Sequence, residues 1–201
     1  MYIHRQWQNY FLLVCGVFLL SSCVNRSIQS QPSPAELASA NLPLYHGQAP
    51  YSSSYDESRY LSRMPQSVNF GKERVILIDP KAYAWGAYDT DGQLVRAGIA
   101  TSGADFCEDE GRPCRTSAGT FRIFSLGDET CVSKKYPLGE GGSLMPYCMF
   151  FNGGQSLHGS PDPMLVENNV SHGCVRLRIP DAAWIRYDFA RMGTKVIVLP
   201  Y

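Results

Sequence analysis

The sequence predicts a mainly β domain: an antiparallel, β-sandwich-like fold with one or two short helices. Three observations lead there. Short apolar runs punctuated by Gly, Pro and Asp recur after Gly71. Only one later segment carries a helical period. The stretch 71–201 has the size of one domain. Val75 to Ile78 (VILI) reads as a buried strand, and Tyr83 to Tyr88 alternates bulky and small residues like a second. Asp89-Thr90-Asp91-Gly92 supplies turn chemistry, and Leu94-Val95 restarts the chain toward Ile99. Thr120 to Phe124 (TFRIF) and Met149 to Phe151 read as further strands. A helix is expected over 181–192, started by Pro180-Asp181 and stopped by Gly193, with Ala182, Ile185, Phe189 and Met192 on its apolar face. Val196 to Leu199 (VIVL) closes the domain as a buried strand.

Upstream of this unit the composition changes twice. Phe11 to Leu20 is an unbroken apolar run behind a basic start. It is roughly half the length of about 20 apolar residues that a membrane-spanning helix needs, and it fits the core of an export signal over 1–22. Leu20-Ser21-Ser22-Cys23 resembles the lipobox of bacterial lipoproteins, which implies cleavage before Cys23 and lipidation of its thiol. Val24 stands where an inner-membrane retention aspartate would be, so an outer-membrane anchor facing the periplasm is the expectation. Residues 23–70 are then a tether rich in Ser, Pro and Gln, too poor in apolar surface to form a core. Tyr45, Tyr51, Tyr55 and Tyr60 depart from a pure linker and point to partial packing on the domain or to a partner.

Cysteine usage agrees with an oxidising compartment. Of seven cysteines, Cys15 leaves with the signal and Cys23 is lipidated, which leaves Cys107, Cys114, Cys131, Cys148 and Cys174. One active thiol and two disulfides is the simplest partition, although free buried cysteines would also satisfy the count. Four half-cystines allow three connectivities; proximity in sequence favours Cys107–Cys114 and Cys131–Cys148, each stabilising by about 2.5–3 kcal/mol. The 18 basic and 18 acidic residues balance, so nothing draws the chain to nucleic acid. A monomer is expected.

The segment 156–177, SLHGSPDPMLVENNVSHGCVRL, concentrates the chemistry in one glycine-punctuated loop, with half of the four histidines beside one thiol. A free thiol has a pKa of about 8.5, and a paired histidine or backbone N–H dipoles lower it. Ser171-His172-Gly173-Cys174 offers consecutive N–H groups where no side chain on Gly173 blocks a substrate, and His158 can return from a neighbouring strand. These residues suit acyl transfer through a thioester. A satisfied turn and a zinc site are the alternatives. A structural zinc site has four regularly spaced ligands, and no second Cys-x-x-Cys or histidine pair stands nearby. Asn169-Val170-Ser171 matches a glycosylation sequon, which a bacterial lipoprotein does not use.

His158-Gly159 followed by Ser171-His172-Gly173-Cys174-Val175-Arg176-Leu177 resembles the signature of the YkuD-type L,D-transpeptidase catalytic domain. Thr116 to Phe121, Met145-Pro146-Tyr147, Phe151 to Gly154, Asp181-Ala182, Gly193-Thr194 and the pattern from Val75 to Gly103 extend the resemblance over 75–201. Ser117 and Ala118 replace the usual Pro-Thr. The resemblance implies a mostly antiparallel β domain with its cysteine under a flap, and peptidoglycan remodelling without cofactor or metal. Cys174 would attack the carbonyl of the third residue of a tetrapeptide stem, and His158 would be the base oriented by the Gly159 carbonyl. His172, Gly173 and Cys174 would form the oxyanion environment, with the N–H groups of Gly173 and Cys174 as best donors. Ser171, Gly159, Arg176 and Tyr147 are candidate substrate contacts; an ion pair for Arg176 and plain packing for Tyr147 are the competing roles. The acceptor is a second stem's amine, a protein lysine, or water, the last making a carboxypeptidase or cross-link hydrolase. A non-catalytic envelope-binding lipoprotein is the alternative of another class. The extra cysteines are not general in the family.

Overall fold

A computed structural model of the chain describes residues 55–136 and 142–201. The expected signal peptide 1–22, Cys23 and the tether as far as residue 54 lie outside the described residues. The domain is mostly β and built from two sheets. In the first, β3 (Leu94–Ile99), β2 (Ala84–Tyr88), β1 (Val75–Asp79), β9 (Lys195–Val198) and β4 (Gly119–Arg122) lie side by side in that order. The second runs β5 (Ser125–Leu126), β6 (Met149–Asn152), β7 (Gln155–Ser160), β8 (Val175–Arg178). Pairing is antiparallel except for β1 with β9 and β7 with β8, which are parallel.

The unbroken apolar run of β1 means that both faces of the first sheet are covered. Ile76 and Ile78 point into a core shared with Met149, Phe151, Leu157, Val175 and Leu177 of the second sheet. Val75 and Leu77, on the opposite face, join Ala84 and Tyr88 under Tyr60 and Met64. Tyr55, Leu61, Val68 and Phe70 pack against this second core. The segment 55–70, which composition assigns to the tether, is therefore part of the folded unit. A short helix α1 (Ser58–Leu61) carries Tyr60 inward, and burying such a side chain stabilises by roughly 1.5–3 kcal/mol.

Two other expectations shift. TFRIF is not one strand: β4 ends at Arg122, and Ile123, 1% exposed in the shared core, marks where the chain crosses to β5 in the other sheet. Helix α2 starts at Ile179 with Pro180 in its first turn and runs to Trp184. It then opens into a single π-turn, Ile185–Phe189, closed by the Ala190 N–H donating to the Ile185 carbonyl. Ala190 is extended, so Met192 never joins the apolar face and is 60% exposed.

Cys107 is bonded to Cys114 and Cys131 to Cys148, and Cys174 is free. The second disulfide closes a sequence separation of 17 residues. Replacing both Cys131 and Cys148 with alanine is expected to lower stability by about 3 kcal/mol, read as a lower urea midpoint. An unchanged midpoint would show that this bridge does not constrain the unfolded chain.

Candidate active site

The residues of the second sheet's edge are set by a parallel register, in which Leu157 faces Val175 and His158 faces Arg176. Side chains alternate along a strand, so Ser156 and His158 share a face of β7, and Arg176 shares that face of β8. Cys174 is the residue just before β8, two positions from Arg176, and its thiol falls on the same side. Its Sγ lies 3.6 Å from the Ser156 hydroxyl and 3.6 Å from the Gly154 carbonyl. Both histidines do not, then, stand in one loop: His158 is a strand residue, and β7 and β8 bring it beside the thiol's strand.

His158 is buried, 6% exposed. Its Nδ1 lies 2.9 Å from the Gly159 carbonyl oxygen. A carbonyl only accepts, so this contact assigns the proton to Nδ1 and leaves the Nε2 lone pair free. Burial lowers the imidazole pKa from 6.5 to about 4, against the upward pull of the Gly159 carbonyl, with the Arg176 charge adding to the lowering. His158 is therefore a neutral base at ordinary pH. Gly159 is tightly packed, since a Cβ would come within 3.0 Å of the Ile179 backbone and 3.1 Å of Pro146 and would force its neighbours to shift. Its N–H donates to the Pro146 carbonyl at 2.8 Å.

Arg176 is partly buried, and burial pulls its guanidinium down from the ordinary value while Cys174 pushes it back up. Among the described residues it forms no ion pair. Its guanidinium is chemically able to take a carboxylate. Ser171 is different: it is 2% exposed, and its hydroxyl is committed within the loop. It accepts from the Gly173 N–H at 3.1 Å and donates to the Cys174 carbonyl. That contact takes the Gly173 N–H away from an oxyanion, and the Cys174 N–H becomes the stronger candidate donor. Gly173 has φ +119°, a conformation that suits glycine alone.

The His172 ring is held from two sides. Its Nε2 lies 2.8 Å from Asp109 Oδ2, and it stacks on Tyr136 with ring centroids 4.5 Å apart. Asp109 sits inside the loop closed by Cys107–Cys114, and Tyr136 inside the one closed by Cys131–Cys148. Arg112 of the first loop donates to the Tyr136 hydroxyl at 2.9 Å. The two disulfide-closed loops thus grip the Ser171–Cys174 turn through the His172 ring, two residues before the free Cys174. Ligand atoms of Cys107, Asp109 and His172 lie within 4.8 Å of one another. The Cys107 sulfur is bonded to Cys114 and is no thiolate ligand, so this cluster is a histidine–aspartate hydrogen bond beside a disulfide.

Tyr147 holds φ +61°, strained for an aromatic residue. Its ring meets Tyr187 edge-on at 5.7 Å and packs on the shared core, which favours a packing role. Sequence reasoning missed Ser156, Asp109 and Tyr136. Period-two alternation from His158 was the available signal for Ser156; the other two come from loops remote in sequence and carried none.

The family model of the YkuD L,D-transpeptidase catalytic domain matches residues 73–198. Among solved structures, the L,D-transpeptidase of Xylanimonas cellulosilytica DSM 15894 is 26% identical with a TM-score of 0.54, over 67% of this chain and 64% of that one. An L,D-transpeptidase of Stackebrandtia nassauensis is 22% identical with a TM-score of 0.51, over 67% and 59%. L,D-transpeptidase 3 of Mycobacterium tuberculosis, solved with a faropenem-derived adduct, is 20% identical with a TM-score of 0.53, over 64% and 60%. The last two likenesses speak to fold alone. The chain spans about three-fifths of the length of these relatives. No curated protein matches it. With a free thiol just before β8 and a buried neutral histidine on the neighbouring strand β7, and with the family model matching residues 73–198, the chain belongs to the L,D-transpeptidase catalytic domain family.

Proposed function

We propose that Cys174 is the nucleophile of an acyl transfer on peptidoglycan tetrapeptide stems, with His158 as its base. The observation that carries this reading is a free cysteine at the head of β8 whose thiol lies against Ser156, on the face of β7 that also bears His158, a buried imidazole protonated on Nδ1 and not on Nε2. In the first half-reaction the thiol proton passes to His158 Nε2 and sulfur bonds to the carbonyl carbon of the third stem residue. The bond to the terminal D-alanine breaks, and its nitrogen takes the proton from the imidazolium. In the second, an amine attacks the thioester, gives its proton to His158, and the thiol is restored. The Cys174 N–H stabilises the oxyanion in both halves. Arg176 supports recognition of the carboxylate that a diaminopimelate side chain would present.

The acceptor in this proposal is the amine of a second stem, forming a cross-link between third residues, or of an anchored protein. The protein acts in the bacterial periplasm, held by lipidated Cys23 to the outer membrane; the apolar run 11–20, the segment ending at Cys23 and the two disulfides support that placement. The test is incubation of the full mature protein with purified tetrapeptide muropeptides, followed by mass analysis. A cross-linked dimer with release of D-alanine is the expected product. Tripeptide alone would assign the acceptor to water, and no release of D-alanine would refute acyl transfer.

A further inference from the structure

The oxyanion donor needs its peptide plane held, and nothing within the Ser171–Cys174 turn does that for the Gly173 carbonyl. The support comes from a strap fifty-seven residues earlier in the chain. Thr116 is buried, 1% exposed, and its hydroxyl donates to the Gly173 carbonyl at 2.9 Å. The same oxygen accepts from the Gly103 N–H at 2.9 Å. Both of its hydrogen-bonding roles are therefore used, one on each side.

Peptide geometry turns this contact into function. The Gly173 carbonyl and the Cys174 N–H belong to one planar trans unit and point in opposite directions. Fixing the carbonyl oxygen onto Thr116 aims the Cys174 N–H away from the strap. The Gly173 N–H is already engaged by Ser171, so this second hydroxyl settles the orientation of the remaining donor. We infer that Thr116 is a positioning residue for the oxyanion donor, acting through the Gly173–Cys174 peptide. This inference rests on the proposed acyl transfer.

The surroundings are built to keep the strap in place. Gly103 lacks a side chain where one is impossible: a Cβ would lie 2.1 Å from the Cys114 carbonyl oxygen and 2.6 Å from the Thr116 nitrogen. The Tyr201 hydroxyl accepts from the Thr116 N–H at 2.8 Å and donates to the Gly103 carbonyl at 2.7 Å. Gln155 of β7 accepts from the Ser117 N–H at 3.1 Å and donates to the Arg115 carbonyl at 3.2 Å. The disulfide at Cys114 anchors the strap's beginning. Such fixation is what a preorganised donor requires, since it removes reorganisation from the reaction step.

The test separates aiming from folding and from thiol reactivity. Acylation by imipenem needs an oxyanion donor; alkylation of Cys174 by iodoacetamide needs only the thiolate. Rates of both are measured by intact mass for wild type, Thr116→Val and Thr116→Ser, with thermal unfolding alongside. Thr116→Val should acylate about 10- to 100-fold more slowly, the scale of a misplaced catalytic group, while its alkylation rate stays near wild type. Thr116→Ser, which retains both hydrogen bonds, should recover acylation. If Thr116→Val does not fold, Tyr201→Phe loosens the strap more mildly and should show the same selective slowing of acylation. Wild-type acylation by Thr116→Val, or equal slowing of its acylation and alkylation, would overturn the inference. A wild-type protein that is alkylated but never acylated, and inert to muropeptides, would instead overturn the proposed function and this inference with it.

Discussion

His158→Gln is expected to slow acylation of Cys174 by about 10²- to 10⁴-fold, the usual contribution of a positioned general base. Glutamine preserves much of the volume and can still donate to the Gly159 carbonyl, so the loss reports the missing lone pair at Nε2 rather than a cavity. A wild-type rate would show that His158 is not the base. The same variant has a signature in stability. Between about pH 4 and pH 6.5 the unfolded chain binds a proton that buried His158 refuses, so native stability falls as pH drops through that window and is untouched above it. Asp181 acts oppositely: burial raises its carboxyl from 3.8 to about 6, despite the Arg96 ion pair at 2.8 Å. The native state then holds a proton the unfolded chain has lost, and stability rises as pH falls from about 6 toward 3.8. His158→Gln keeps only the second effect. Lowering the pH from 7 to 4 should therefore favour the variant over wild type, by on the order of 3 kcal/mol, measured as the difference in urea unfolding. Parallel pH profiles for the two proteins would contradict a neutral buried imidazole.

Gly173→Ala is expected to cost about 10²- to 10³-fold in acylation, comparable to removing an oxyanion-hole donor. At φ +119° an alanine is strained whatever space surrounds it, and its Cβ would also come within 3.2 Å of Gln155 Nε2. Relief requires the turn to rotate. Rotation breaks the bonds that hold this peptide, from the Thr116 hydroxyl to the carbonyl and from the Gly173 N–H to Ser171. The thiol itself is untouched, so iodoacetamide should alkylate the variant at close to the wild-type rate. Acylation at the wild-type rate would show that the turn's unusual backbone has no part in catalysis.

Where the sequence follows simple burial physics, it can be read directly. The runs at 75–78 and 196–198 occur as strands because apolar β-branched residues there have two sheet faces to fill. The strands that matter most for chemistry were hidden. Gln155–Ser160 and Val175–Arg178 place Ser156, His158 and Arg176 where an apolar pattern would put core residues, so their period is obscured by the polar groups they position. The π-turn at Ile185–Phe189 misled in another way, extending an apparent helical stripe to Met192 after the backbone had already left the helix. Tyr60 and Met64 belong to the domain because the exposed face of β1 and β2 needs a cover, a demand that composition of the segment itself does not express. In the candidate site, residue types alone point to Cys174, His158 and Gly173. They do not point to Asp109 or Tyr136, and Thr116 stands out only as part of a matching segment, because only the folded chain brings those loops to the Ser171–Cys174 turn.

The most direct measurement is intact-mass analysis of the domain after incubation with imipenem, beside Cys174→Ala. The account predicts one drug adduct on the wild-type protein and none on the variant, with both proteins folded. A folded wild-type protein that gains no mass, or a Cys174→Ala variant that gains the same adduct, would contradict acyl transfer through this thiol.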